Sequence, residues 1–263
     1  MSSLSPISCD AQSILGSCIF SIFGFLPPED LARVARVSRE WKHLADNPVL
    51  WDLQAIFRSR GHVLNIIDKK VWAECLDLDA ARVHVEDSLL PRRTVFKVVR
   101  QMFDSLEIEG DLGITLLTLP LVTLRNLRTF FPAAFRFIHP LILGKHGDTV
   151  MNETGLVAIT NGILKGSRGL SSAAHKALVL GKECEMVELT AVVALAILTE
   201  RRFSLTPPIR LFSGVPWTFT RGVEKVGDCH VVVGDFTLSG LHITSNGSES
   251  ESIGVACLRR IHG

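Results

Sequence analysis

Between Ile14 and Leu26 the apolar positions fall into two adjacent stripes at helical spacing. Ile14, Cys18, Ile22 and Phe25 make one, and Leu15, Ile19, Phe23 and Leu26 make the other, with Ser17 and Ser21 as the polar relief. A second helix is expected from Pro28, which suits the first helical position, with Glu29 and Asp30 placing negative charge on its positive end. Leu31, Val34 and Val37 line one side of that helix, and Asn47 and Pro48 stop it. Val49, Leu50 and Trp51 begin a third. A bundle of about 40 residues has little interior for two stripes and two tryptophans, Trp41 and Trp51. Apolar surface left over on so small a module marks a partner site.

Downstream the pattern changes twice. From Phe57 to about Leu90 it stays helical, with Val71, Trp72, Cys75 and Leu76 as the packing face. Pro91 opens an amphipathic helix in which Val95, Val98, Val99, Met102 and Phe103 form the stripe. Ile114–Leu119 reads as a buried strand stopped by Pro120. Thr123–Phe131 is another helix, and Pro132 and Pro140 interrupt the stretch after it. Val157–Leu164 is a strand, or holds a turn at Asn161-Gly162. Ser172–Leu180 and Val187–Thr199 are helical, the second apolar nearly all round.

The tail then shifts to a period of two. Trp217–Thr220 alternates, Gly227-Asp228 signals a hairpin, and His230–Val233, Leu241–Thr244 and Ile253–Leu258 complete an antiparallel sheet. The expected fold class is α+β: an N-terminal three-helix module over residues 10–56, a helical extension over 57–110, and a mixed domain over 111–263 ending in a mainly antiparallel sheet. No repeat recurs at the roughly 20–50-residue spacing of solenoids or propellers.

Composition narrows the classes. The chain has 263 residues, 47% of them hydrophobic, with a formal net charge of +1. That excludes a disordered chain and leaves no concentrated basic balance for a nucleic-acid groove. The pairs Arg92-Arg93, Arg201-Arg202 and Arg259-Arg260 are scattered. The longest apolar run, Leu189–Leu198, falls well short of the ~20 residues a membrane span needs and reads as a buried helix. Asp10, and no Lys or Arg, precedes the apolar stretch at Ile14–Leu26, which argues against a leader. Cys9, Cys18, Cys75, Cys184, Cys229 and Cys257 include no C-x-x-C pair, so free thiols in a reducing, cytosol-like compartment are expected. The sequons at Asn152 and Asn246 then carry no meaning.

Chemistry has few candidates. His146 and Asp148 stand two apart and could orient one another, with Asp235 or Cys229-His230 to complete a cluster. No nucleophile elbow, phosphate loop or H-E-x-x-H accompanies them. The nine histidines lack metal-ligand spacing. Asp148 is more simply a turn residue after Gly147, and His230 a residue on the wet side of a strand. No catalytic residue, metal or cofactor is expected. Phe203, Leu205, Ile209, Leu211 and Phe212, between prolines, weigh more than a solvated connection needs; they fold over the core or touch a target.

The first module resembles the F-box family. Ile14 stands at the motif's opening leucine, and Ile19, Ile22 and Phe23 occupy its apolar helix. Leu26, Pro27, Asp30 and Leu31 match its Leu-Pro-x-x-Asp-Leu block, and Val37, Trp41, Leu44 and Trp51 come after at the family's distances. Leu15 sits where the family usually has Pro, and Ser17 where it has Glu. The resemblance covers Ile14–Leu53. It implies docking on a Skp-type adaptor of a cullin-based ubiquitin ligase through Ile14, Leu15, Ile19, Leu26, Pro27, Asp30, Leu31, Val37, Trp41, Leu44 and Trp51, with no nucleic-acid or membrane partner. The segments LGITLLTLP, KHGDT, ITNGILKGSRGLS, CEMVEL, PWTFTR and VVVGDF also resemble the tail of F-box proteins from chlamydia-like bacteria of amoebae. That likeness implies a bacterial effector in a host's cytosol. The expected function is a non-catalytic substrate receptor; the alternative is an F-box-tethered enzyme that modifies delivered targets.

Overall fold

A computed structural model describes residues 28–34, 36–39, 41–42, 63–76, 92–111, 113–119, 122–149, 155–202, 211–212 and 217–261. Helix α1, Pro28–Val34, is tied by the exposed Arg33–Asp30 pair at 2.8 Å. The helix expected to run on toward Asn47 breaks at a turn containing Arg36 and Val37. Ser38 is the reason: its Oγ accepts from the Trp41 backbone N–H at 3.1 Å, the preferred role of serine at a helix start.

The residues expected to be all-helical before Leu90 include a strand, β1, Leu64–Ile67. It pairs in parallel with β2, Ile114–Leu119, from Leu64↔Ile114 to Ile67↔Leu117. Two features produce it. The run is rich in β-branched residues. Gly113, at φ +77°, leaves room for the Val63 carbonyl, which accepts from the Ile114 N–H at 3.0 Å; a Cβ there would lie 2.0 Å from that oxygen. Asp68 then caps α2, Lys69–Leu76, by accepting from the Val71 N–H. Val71 and Trp72 are buried as expected, and the indole Nε1–H donates to the Thr118 carbonyl at 2.7 Å.

Two helices keep close to the expected pattern, α3, Arg92–Ser105, and α4, Leu124–Phe130. The stretch after them, where only interruptions were expected, holds a strand, β3, Phe135–Ile138, and a helix, α5, Pro140–His146. Pro140 starts α5 where an interruption was expected, consistent with the preference of proline for the first turn. Next come β4, Gly155–Thr160; α6, Ser172–Leu180; β5, Glu185–Met186; and α7, Leu189–Arg202. The chain ends with β6, Phe219–Val226; β7, Cys229–Thr237; β8, Gly240–Asn246; β9, Ile253–Gly254; and β10, Cys257–Ile261. Gly227 at φ +60° makes the expected turn between β6 and β7.

The strands form two mixed five-stranded sheets, ordered β1-β2-β4-β10-β5 and β3-β8-β7-β6-β9. The class is α+β, as expected, but the tail strands divide between both sheets. In the first, only the β1–β2 pairing is parallel; in the second, β3 and β9 add in parallel to the edges of an antiparallel β6–β7–β8 meander. Helix α7 lies between the sheets and touches β2, β6 and β7 as well as α2 and α4. From Ala191 to Leu198 every residue of it is fully buried, which is why it is apolar on all sides.

The first sheet is covered on both faces. Ile67, Leu117, Val157, Ile159 and Leu258 pack toward α7. Leu64, Ile114, Leu116, Ala158 and Cys257 pack on the other side with Val95, Phe96, Val99 and Met102 of α3. Strands buried on both faces read as continuous apolar runs, and ITLLTL is one.

Candidate functional site

Of the positions expected to meet a Skp-type adaptor, Ile14, Leu15, Ile19, Leu26, Pro27, Leu44 and Trp51 lie outside the described residues. Asp30 is engaged by Arg33. Leu31 is buried, and Val34 and Trp41 are half-buried against the same cluster, which also holds Leu64, Val95 and Phe96. Leu31 thus anchors α1 to the layer over the first sheet. Val37 is 64% exposed and available to a partner as it stands.

The residues that could have formed a catalytic cluster do not converge. Asp148 is held by Arg125 through two hydrogen bonds of 2.7 and 3.0 Å, and the guanidinium holds its carboxyl below the usual range. His146 instead meets the Lys225 carbonyl through Nε2 at 2.9 Å. Asp235 sits at φ +47° and pairs with Arg136 at 3.1 Å, with His242 Nδ1 4.0 Å away. His230 donates from Nδ1 to the Gly222 carbonyl at 2.9 Å, since a carbonyl can only accept. Burial lowers its pKa, the Gly222 bond opposes this, and Lys225 and Arg221 add to it. Among the described residues, no group of three or more His, Cys, Asp or Glu side chains is placed to hold a metal. None of their helices is long and apolar enough to cross a membrane.

Leu211 and Phe212 are buried in the main core, so that part of the proline-bounded segment folds inward; Phe203, Leu205 and Ile209 lie outside the described residues.

Two buried polar arrangements have no counterpart among the sequence expectations. Arg221, in the middle of β6, is 1% exposed. It donates to the Leu170 and Ser248 carbonyls and to His175 Nδ1 at 3.2 Å. His175 Nε2 meets the Ser167 carbonyl at 2.7 Å, which fixes the neutral tautomer protonated on Nε2; burial is the main cause lowering its pKa. The pair ties α6 and the 245–252 loop onto the second sheet. Glu224 is the other. Its Oε1 accepts from the Leu189 N–H at 2.8 Å, at the start of α7, while Oε2 is buried without a partner. Burial pushes its carboxyl up to about 7. Both lie in a strand whose alternation implies nothing about which face meets a neighbour; only the contact with α6 and α7 buries them.

Beside these groups runs an open groove of about 500 Å³. One wall is α6, with Lys176 and Leu180; the other is the β6–β7 hairpin, with Val223, Lys225 and His230. Val179 and Met186, both buried, make its floor. Leu180 is 57% and Val223 44% exposed, so both walls present apolar surface.

Residues 17–53 match the family described as F-box-like. The chain carries an F-box-like domain there. All the expected adaptor-contact positions except Ile14 and Leu15 fall within the match. Such a domain implies binding to a Skp-type protein and is consistent with the role of adaptor in a ubiquitin ligase. No curated protein and no solved structure matches the chain, and the likeness of the tail to bacterial F-box proteins finds no support.

Proposed function

We propose that this chain is the substrate receptor of a cullin-based ubiquitin ligase, docking on a Skp-type adaptor through its F-box-like domain and holding a target protein with the region from about residue 111 onward. The observation that carries the reading is the F-box-like match at residues 17–53. Function then arises from proximity: a bound target meets a charged ubiquitin-conjugating enzyme at a raised local concentration, as in any linked pair of binding modules. Residues 57–110 join the two activities, and eukaryotic cytosol is the implied place of work. A bacterial effector borrowing a host's ligase would work in the same way; the motif-level resemblance of the tail is its sole support.

The enzyme alternative gains nothing from the geometry, because Asp148 is held by Arg125, while His146 and His230 are each bonded to a backbone carbonyl, of Lys225 and Gly222. The test is co-purification. Leu26→Ala with Pro27→Ala removes two apolar anchors, each worth at least about 2 kcal/mol at a desolvated centre. The double variant is expected to lose the Skp-type protein while circular dichroism stays unchanged. Undiminished recovery of the adaptor would overturn the assignment.

A further inference from the structure

The groove between α6 and the β6–β7 hairpin has a charge pattern that selects among occupants. Lys176 stands on the α6 wall and Lys225 on the β6 wall, both exposed. Neither has a carboxylate partner among the described residues. Among the described residues the one carboxylate lining the groove is Glu185, which lies 3.6 Å from Arg260, a cation that Glu188 also holds. Lys145 adds a third cation near the hairpin end, where its Nζ donates to the Lys225 carbonyl at 2.8 Å. His230 is neutral near pH 7, since burial lowers its pKa, and so adds no charge.

The result is an apolar trough, formed by Leu180, Val223 and the floor of Val179 and Met186, between two unneutralised cations. A basic or uncharged segment would leave both lysines without partners. A segment with apolar side chains flanked by carboxylates would fill the trough and meet a cation on either wall. Complementary charge of this kind acts on approach rate and on the choice of partner. The exposed patch at Phe137 and Leu141, beside edge strand β3, lacks this definition: it is apolar and exposed, and nothing adjoining it specifies a partner.

We propose that this groove is the target-recognition site, and that it takes a short peptide segment of the target in which apolar side chains are flanked by aspartate or glutamate. In calling the peptide a target segment the proposal rests on the substrate-receptor reading; the binding itself does not.

Full-length chain is titrated by fluorescence anisotropy with three labelled peptides sharing a Leu-Phe-Met-Leu centre. Their flanks are aspartate and glutamate, lysine, or serine. The acidic peptide is expected to bind about tenfold more tightly than the serine peptide, the size that two or so rim ion pairs supply, and the lysine peptide more weakly still. Lys176→Glu with Lys225→Glu is expected to invert that order. Leu180→Asp with Val223→Asp is expected to weaken the acidic peptide by about tenfold or more. All four side chains are exposed, so thermal unfolding should stay near wild type.

Equal binding of the three peptides, no binding of any, or an order untouched by the variants would overturn the proposal. Co-purification of the Skp-type adaptor is read on the same preparations. Adaptor bound with no peptide preference removes the groove and leaves the receptor reading. Peptide preference without adaptor does the opposite.

Discussion

Glu224 gives the chain a stability that depends on pH in an unusual direction, and Glu224→Gln isolates it. Two effects compete at this carboxyl. The Leu189 N–H, at the positive end of α7, favours the carboxylate, as does the residue's own backbone N–H. Burial favours the neutral acid, helped by the nearby charge of Glu188, and burial is the larger, bringing the pKa from 4.5 up to about 7. A group whose pKa rises on folding contributes stability that is fully present below its unfolded value, near 4.5, and is lost as pH rises through about 7. At about 1.4 kcal/mol per pH unit, the difference amounts to about 3 kcal/mol above pH 8. Glutamine keeps the acceptor for Leu189 and cannot ionise.

The variant is therefore expected to match wild type near pH 4.5 and to exceed it by about 3 kcal/mol at pH 8.5. Thermal unfolding resolves this, at about 2–4 °C per kcal/mol in a chain of this size. His175, His230 and His242 pull the other way, since their pKa values are lowered mainly by burial. Their contribution is present above about 6.5 and lost as pH falls through their folded values, and it cancels in the difference between variant and wild type. A difference that does not change with pH, or a variant less stable at pH 8.5, would refute the reasoning.

Other outcomes concern the core and the surface. Leu195→Ala, in the fully buried stretch of α7, should cost about 2–5 kcal/mol in urea unfolding. Gly113→Ala should cost about 1–3 kcal/mol by the same measurement, because φ +77° and the Val63 carbonyl both oppose a Cβ. Replacing His146, Asp148, Cys229 and His230 together should lower target ubiquitination only as far as the melting temperature falls; a well-folded variant that captures its target yet leaves it unmodified would point to hidden chemistry. Val37→Asp should weaken recovery of the Skp-type adaptor with little change in melting temperature, whereas Leu31→Ala should lower both, since only Val37 is exposed.

Long periodic elements were legible because their burial is one-sided or complete. The stripe of α3, the all-apolar α7 and the ITLLTL strand each reflect which faces meet a neighbour. The strand at Leu64–Ile67 was missed for a physical reason: four residues paired to a strand some fifty positions later have no local period of their own, and the pairing depends on Gly113. Its local signal was the β-branched run ending at Asp68, a helix-capping residue. Arg221 and Glu224 were missed similarly. Alternation along β6 marks two faces without saying that α6 meets Arg221 or that the start of α7 meets Glu224. The groove could not be read at all, since Lys176 and Lys225 stand in separate elements and share walls only through the tertiary fold.

The packing of α1 bears on how a receptor of this kind would work. No Gly- or Ser-rich tether comes after the F-box-like domain. Leu31 of that domain is buried with Leu64 of β1 and with α3, and Trp41 leans on the same cluster. β1 is itself hydrogen-bonded to β2, and through β4 and β10 that sheet reaches β5, whose Met186 floors the groove. A continuous run of buried contacts and strand ladders therefore links the F-box-like segment to the groove. A flexible linker would spread a bound target over a large volume and lower its effective concentration at any one point. Packed elements confine it. In the receptor reading, the described part of the F-box-like segment is held to the fold that carries the groove, and cutting the Leu31 contact should impair ubiquitination more than it impairs peptide binding.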